Sequence, residues 1–153
     1  MRLEHGTWIV TADGGGAVIY RNTGHEGLAR LEVVETHNAH HAAFTRDLGT
    51  DKPGRYKTPA GGKTAVAGPD YHDQAEHDFA KRLASRLDEL VGAHVHGKSQ
   101  PPMVLFASPR FLGMIRPAYS ARLKAILKAE VGKDLREAPT AKVEHALAEL
   151  DHA

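Results

Sequence analysis

The sequence of 153 residues contains no cysteine, which excludes both a disulfide framework and a catalytic thiol. It also lacks any apolar run near the ~20 residues that a membrane-spanning helix needs, so we predict no membrane partner. Residues 1–10 lack the charged, apolar and small-residue pattern of a secretory signal, and we therefore expect a cytoplasmic protein. The net charge of +1 argues against a uniformly basic nucleic-acid-binding protein.

Length and composition are those of an ordinary globular protein, with 41% hydrophobic and 25% charged residues. We predict one domain spanning residues 1–153. The small net charge hides an uneven distribution, since residues 46–63 carry five basic side chains against two acidic ones. Residues 110–133 carry six basic side chains against one acidic one. These two stretches are the candidate cationic surfaces.

The longest helix signal covers residues 71–91. At about 100° per residue, its apolar side chains fall on one face, and His72 and Glu76 continue that face in its first turn. Asp70 is a suitable N-cap and Gly92 a suitable stop. We therefore expect the polar end of this face to lie at the helix start.

Three strands are predicted before that helix. Residues 7–12 and 17–22 are short apolar runs, and the Asp-Gly-Gly-Gly turn at 13–16 between them indicates a hairpin. Residues 28–37 alternate as a half-exposed strand does. Residues 38–69 lack periodicity and are predicted to be a long, partly mobile loop, either functional or a tolerated insertion.

The second half of the chain begins with a central strand at residues 103–107, whose continuous apolar run is typical of burial on both faces. Ser108 and Pro109 should open a helix, which Pro117 interrupts. A weak edge strand at 130–135 and a last helix capped by Thr140 complete the chain.

The helix that restarts after the interruption is predicted to carry Leu127 on its apolar face. The order β-β-β-α-β-α-β-α, with right-handed crossovers, predicts an α/β fold. Its five-stranded mixed sheet has the order 3-2-1-4-5, as in ribonuclease H and similar folds, with helices on both faces.

Open α/β sheets bind ligands beyond the carboxyl ends of their strands. In this topology five polar residues gather there, namely Asp13, His72, Glu76, Ser108 and Arg110. Asp13, His72 and Glu76 are the candidate catalytic residues of a metal-dependent nuclease or phosphoryl-handling enzyme. The segment after the fourth strand supplies no third carboxylate, and Asp13 is equally explained as a turn residue that accepts backbone hydrogen bonds.

Eleven histidines suggest a metal site, but no spacing matches a zinc finger or an H-E-x-x-H helix. His72 and Glu76 are four residues apart and can satisfy each other on a helix. We predict no metal and no cofactor.

The helix start at Ser108, together with the guanidinium of Arg110, is a candidate anion site, to which we add Arg116. The alternative is that Arg110 forms an internal ion pair with Glu76 or Asp13. Ser108 is a poor nucleophile candidate because no G-x-S-x-G motif surrounds it.

Several short motifs together resemble the bacterial host attachment protein family, whose members are required for attachment to host cells. They lie at Trp8–Val10, Ala12–Gly14, Ala17, Gly54–Arg55, Phe79–Ala80, Leu83–Ala84, Ala107–Gly113, Arg116 and Lys133–Leu135. The chain has Ser108 where other members tend to carry a second proline.

That family is in turn similar to the central domain of archaeal and eukaryotic translation release factors, which carries a Gly-Gly-Gln loop before its long helix. Residues 60–64 of this chain read Ala-Gly-Gly-Lys-Thr. The resemblance implies a ribosome-facing loop. Lys63 replaces the glutamine, and an ammonium cannot act as both donor and acceptor as an amide does, so peptidyl-tRNA hydrolysis is not expected.

We therefore predict a non-catalytic module that binds RNA or the ribosome, since phosphate contacts require only charge and reach. Its predicted binding residues are Arg46, Lys52, Arg55, Lys57, Gly61, Gly62 and Lys63. The alternatives are the nuclease described above and an interaction protein whose attachment role is indirect. The expected cytoplasmic location favours an indirect role in attachment.

Overall fold

The computed structural model describes residues 3–25, 27–39, 54–94 and 100–151, and for residues 54–72 it describes the backbone. Five strands form one sheet in the order β3-β2-β1-β4-β5. β1–β2 and β2–β3 pair antiparallel, whereas β1–β4 and β4–β5 pair parallel. The strands are β1 Trp8–Asp13, β2 Gly16–Asn22, β3 Leu31–Asn38, β4 Met103–Ala107 and β5 Leu127–Val131. The predicted mixed sheet and its strand order are confirmed.

Helices cover both faces of the sheet, as predicted. They are α1 Gly54–Ala93, α2 Pro109–Ile115, α3 Ala121–Ile126 and α4 Thr140–Asp151, with a 3₁₀ turn at Arg116–Ala118. Side chains alternate along β1, so Trp8 packs with α1, α2 and α3 while Ile9 packs with α4. Among the described residues, no helix combines the length and apolar character that a bilayer crossing needs.

Serine caps define the two short helices after β4. The Ser108 hydroxyl accepts a hydrogen bond from the Phe111 amide at 3.3 Å, and Pro109 occupies the first helical turn. Ser120 accepts in the same way from the Leu123 amide at 3.1 Å. Both caps satisfy amides that the first turn of a helix leaves without partners. The predicted helix start at Ser108 and the predicted interruption, which is the 3₁₀ turn, are both confirmed.

The long helix begins well before its predicted start. α1 starts at Gly54, so the predicted N-cap at Asp70 is wrong. The prediction of a loop over 38–69 is wrong from position 54 onward, and residues 40–53 lie outside the described part of the chain.

The incorrect start has a physical reason. Pro59, Pro69 and the pair Gly61-Gly62 are poor helix formers, and by propensity alone they indicate a loop. A helix that already packs on a core, however, can add turns without the cost of a new nucleus. The alanine and lysine residues of this segment are good helix formers and favour that extension.

The third strand begins at Leu31, later than the predicted Leu28. Gly27 has a φ of 85°, and the amide of Arg30 donates to the Asn22 side chain at 2.8 Å. These features form a turn that leaves the Leu28 side chain 71% exposed. The half-exposed character of β3 is as predicted.

The fifth strand covers Leu127–Val131, and the prediction of a strand at Glu130–Leu135 is displaced. Leu127 is extended, with a ψ of 106°, so the strand follows α3 without a loop and Leu127 is not helical. Leu135 is buried against the α4 side of the core, which accounts for the apolar signal we assigned to a strand.

A β-bulge interrupts the pairing of β3 with β2. Ile19 lies opposite Glu35 and Tyr20 opposite Val33, which leaves Val34 without a partner position. The extra residue reverses the alternation of faces, so Glu35 points to the same face as Ile19, towards α1. The bulge thereby brings a carboxylate of the edge strand to the long helix.

Stability should fall in acid because of this carboxylate. The Arg86 guanidinium, with its Nε 3.0 Å from Glu35 Oε1, lowers the pKa of Glu35 from 4.5 to about 2. A depressed folded-state pKa stabilises the protein above the unfolded pKa, and this stabilisation is lost as pH falls from about 5 to about 2. We expect Glu35→Gln to lower the free energy of unfolding at pH 7, and by less at pH 3, in urea titrations.

A matched control for that experiment is Glu149→Gln. Glu149 forms an exposed pair with Lys133 at 3.8 Å, and exposed pairs contribute little. An equal effect of Glu35→Gln at both pH values would contradict the assignment.

Candidate functional site

A cleft of about 310 Å³ lies at the carboxyl ends of β1 and β4. The β1–β2 turn, α1, α2 and the segment after β5 form its walls. Its lining residues are Asp13, Gly14, Gly15, Glu76, Ser108, Arg110, Phe111, Met114 and Arg136. The structure thus brings together four of the five residues expected at this edge, while the side chain of His72 lies outside the described residues.

Asp13 anchors one wall of the cleft. Its Oδ1 accepts a hydrogen bond from the Gly15 amide at 2.7 Å and another from Arg136 Nε at 2.6 Å. The first bond is the turn role proposed as the alternative for Asp13. A Cβ on Gly15 would lie 3.0 Å from Arg136 Nη2, so glycine allows the guanidinium to approach the turn.

Arg110 anchors the other wall. Its Nη2 lies 2.9 Å from Glu76 Oε1 and 2.7 Å from Asp73 Oδ1. The internal ion pair with Glu76 is therefore present, while Asp13 pairs with Arg136 instead of Arg110. A Cβ on Gly14 would lie 2.6 Å from Glu76 Cδ, so this glycine allows the carboxylate to lie against the turn.

The cleft is lined by two carboxylates and two arginines, and each arginine already has a carboxylate partner. Within the part of the chain that the structure describes, no three His, Asp or Glu side chains are placed to hold a metal. A cation would have to displace Arg110 or Arg136 from its carboxylate. The arrangement therefore acts first as a cross-link between the hairpin, the helices and the segment after β5.

The predicted anion-binding residues separate in the structure. Ser108 and Arg110 share the cleft, and the Ser108 hydroxyl oxygen accepts the hydrogen bond that caps α2. Arg116 lies apart from them, where its Nε donates to Glu130 Oε1 at 3.1 Å beside a second cavity.

Some of the predicted RNA-binding residues lie outside the part of the chain that the structure describes. Arg46 and Lys52 fall in the undescribed segment. The others lie on the helical backbone of α1, with side chains outside the described residues, and they are Arg55, Lys57, Gly61, Gly62 and Lys63. The Gly-Gly pair therefore lies within the helix, and the prediction of a glycine loop ahead of the helix is wrong.

Arg136 is the charged cleft residue that sequence reasoning missed. It lies 123 positions after Asp13, and no periodicity links the two. The sequence offers one indirect signal for it. The glycines that follow Asp13 indicate a place where another group can approach the backbone closely. Phe111 and Met114 were also missed as lining residues.

The chain matches a protein-family model. A family model described as "Protein required for attachment to host cells" matches residues 8–147, a range that includes all five strands and every residue of the cleft. No curated protein matches the chain.

Proposed function

The chain belongs to the family of proteins required for attachment to host cells, and from this premise we propose that it is a non-catalytic module that binds RNA or the ribosome. Its role in attachment is then indirect. The resemblance to release factors is consistent with such a module, and the main support for it is the positive charge of α1.

The observation that carries the proposal is a basic start to α1. Arg55, Lys57 and Lys63 lie in its first ten residues, and no acidic residue occurs from 54 to 69. Asp51, four positions before Arg55, precedes the helix, and within α1 no carboxylate lies three or four positions from any of the three. Ion pairs along the helix therefore do not neutralise them. A polyanion can supply the missing negative charge.

The three cations are distributed around the helix. From Arg55, Lys57 is rotated by about 200° and Lys63 by about 80°, over a rise of about 12 Å. Positive charges on several sides of a helix suit a helix that is surrounded by the phosphates of a folded RNA. Glu76 lies about 20 Å beyond Lys63 along the helix, more than the ~8–10 Å Debye length, so its repulsion of RNA bound at the helix start is largely screened.

Salt-dependent RNA binding tests this proposal. We expect a fluorescent single-stranded RNA of about 20 nucleotides to bind the wild type, with affinity falling as salt rises. In R55Q/K57Q/K63Q, the slope of log K against log salt should decrease by about 2, since each lost phosphate contact removes ~0.7.

A control variant with the same charge change is R30Q/K81Q/K142Q. These three residues are exposed and form no ion pair within the described ranges. Equal slopes for the two variants would show that only net charge matters and would reject α1 as the binding element.

The alternative function is a metal-dependent nuclease, favoured by the shared location of Asp13 and Glu76 in the cleft. We expect Asp13→Asn instead to reveal a structural role. It should lower the free energy of unfolding by about 1–3 kcal/mol, because Arg136 loses a half-buried partner, and leave RNA affinity unchanged. Asp134→Asn, which changes an exposed partner of the Arg136 amide, is the control.

Cleavage assays with Mg²⁺ or Mn²⁺ separate the two functions. RNA or DNA cleavage by the wild type that is lost in Asp13→Asn would replace the binding module with the nuclease.

A further inference from the structure

A second cavity, of about 280 Å³, lies along β5 at the edge of the sheet. It is formed by the 3₁₀ turn, α3 and β5, and its principal residues are Arg116, Tyr119, Lys124, Lys128 and Glu130. Leu127, which also lines it, pairs with Met103 at the start of β4, whereas the cleft lies beyond the end of β4. The cavity is therefore separate from the cleft.

The single acidic residue of this cavity already has its partners. Arg116 Nε donates to Glu130 Oε1 at 3.1 Å, and the Tyr119 hydroxyl donates to Oε2 at 2.5 Å. Burial and the neighbouring carboxylate raise the pKa of Tyr119, which keeps its hydroxyl protonated as a donor. Because the hydrogen bond from Arg116 to Glu130 uses Nε, its two Nη groups are left as donors on a residue that lines the cavity.

The two lysines of the cavity differ from the other basic residues of the stretch 110–133. Arg110, Arg116, Arg122 and Lys133 each have a carboxylate within 4.0 Å. Within the described residues, Lys124 and Lys128 have none. The two basic side chains of this stretch that have no carboxylate partner among the described residues therefore both line one cavity.

We propose that the cavity binds a phosphate group, held by Lys124, Lys128 and the Nη groups of Arg116. Two ammonium groups beside a planar guanidinium match the several oxygens of a phosphate, and together they disfavour a cation. In taking RNA as the source of the phosphate, this inference rests on the proposed function. It adds a second contact, on a different element from the start of α1.

The test uses the full chain and two phosphate sources, a single-stranded RNA of about 20 nucleotides and AMP. K124Q/K128Q should bind the RNA on the order of tenfold more weakly than the wild type, with a salt slope smaller by about 1.4. AMP should shift the backbone amide NMR signals of residues 124–130 in the wild type but not in this variant. The control K81Q/K142Q removes two exposed lysines elsewhere and should behave as the wild type.

The outcomes separate this inference from the proposed function. If K124Q/K128Q binds RNA as the control does while the wild type binds, the cavity is not an RNA contact and the inference is overturned, while the α1 proposal stands. If the wild type binds no RNA but AMP shifts signals that K124Q/K128Q loses, the phosphate site is supported and the proposed function fails. Absence of both responses would reject both.

Discussion

Trp8→Ala is expected to lower the free energy of unfolding by about 3–5 kcal/mol, much of the ~5–15 kcal/mol that stabilises a typical domain. Trp8 has 0% exposure on β1 and packs on the α1 face of the core. The guanidinium carbon of Arg21 lies 4.2 Å from its ring centroid, and the ring of His94 lies 5.3 Å away. Truncation would leave a cavity and remove both ring contacts.

The measurement is urea unfolding followed by far-ultraviolet circular dichroism, because the variant lacks the only tryptophan. Trp8→Phe should cost less than half as much, since Trp8 Nε1 has no hydrogen-bond partner within the described residues and a phenyl ring loses no bond. Leu28→Ala, at a 71% exposed position, should stay within about 0.5 kcal/mol of the wild type. A wild-type unfolding midpoint for Trp8→Ala would contradict the proposed core.

Gly16→Ala is the second large effect, with an expected loss of about 1–3 kcal/mol. A Cβ on Gly16 would lie 2.5 Å from the His37 carbonyl oxygen, which is a backbone atom of the adjacent strand. Relief requires β2 and β3 to move apart, whereas a clash with a flexible side chain could relax.

The matched control is Gly113→Ala. A Cβ there meets no described atom within 4 Å, and the residue lies within α2, where alanine is the better helix former. We expect Gly113→Ala to raise the free energy of unfolding by about 0.5–1 kcal/mol. Thermal or urea unfolding of the two variants should therefore shift in opposite directions, and similar shifts would contradict the strand spacing described above.

Local signals predicted much of this fold. The run of Met103–Ala107 identified the central strand, and Ser108-Pro109 identified the helix start, because each depends on residues adjacent in sequence. The strand order followed from the connections and their handedness. These parts needed no knowledge of distant contacts.

Features that depend on distant partners could not be predicted. The bulge at Val34 depends on its pairing with β2, and the start of β5 at Leu127 depends on its pairing with β4. The extension of α1 upstream of Asp70 depends on the packed part of the helix, against the propensity of its prolines and glycines.

The same limit applies to the cleft. Asp13, Glu76, Ser108 and Arg110 could be placed there because topology sets which strand ends and helices meet. The Arg136 partner of Asp13 could not, since the segment after β5 reaches the cleft through an irregular path. This missing partner changes the chemistry, because it converts a candidate metal ligand into one side of an ion pair.

Co-sedimentation with ribosomes tests whether the basic start of α1 binds RNA or the ribosome, as we propose. Tagged wild type, K57E/K63E and the control K81E/K142E would be run on gradients from the cognate cell extract at low and moderate salt. We expect wild type and control in the ribosomal fractions, with K57E/K63E at the top of the gradient. Wild type at the top of the gradient at both salt concentrations would contradict the proposal.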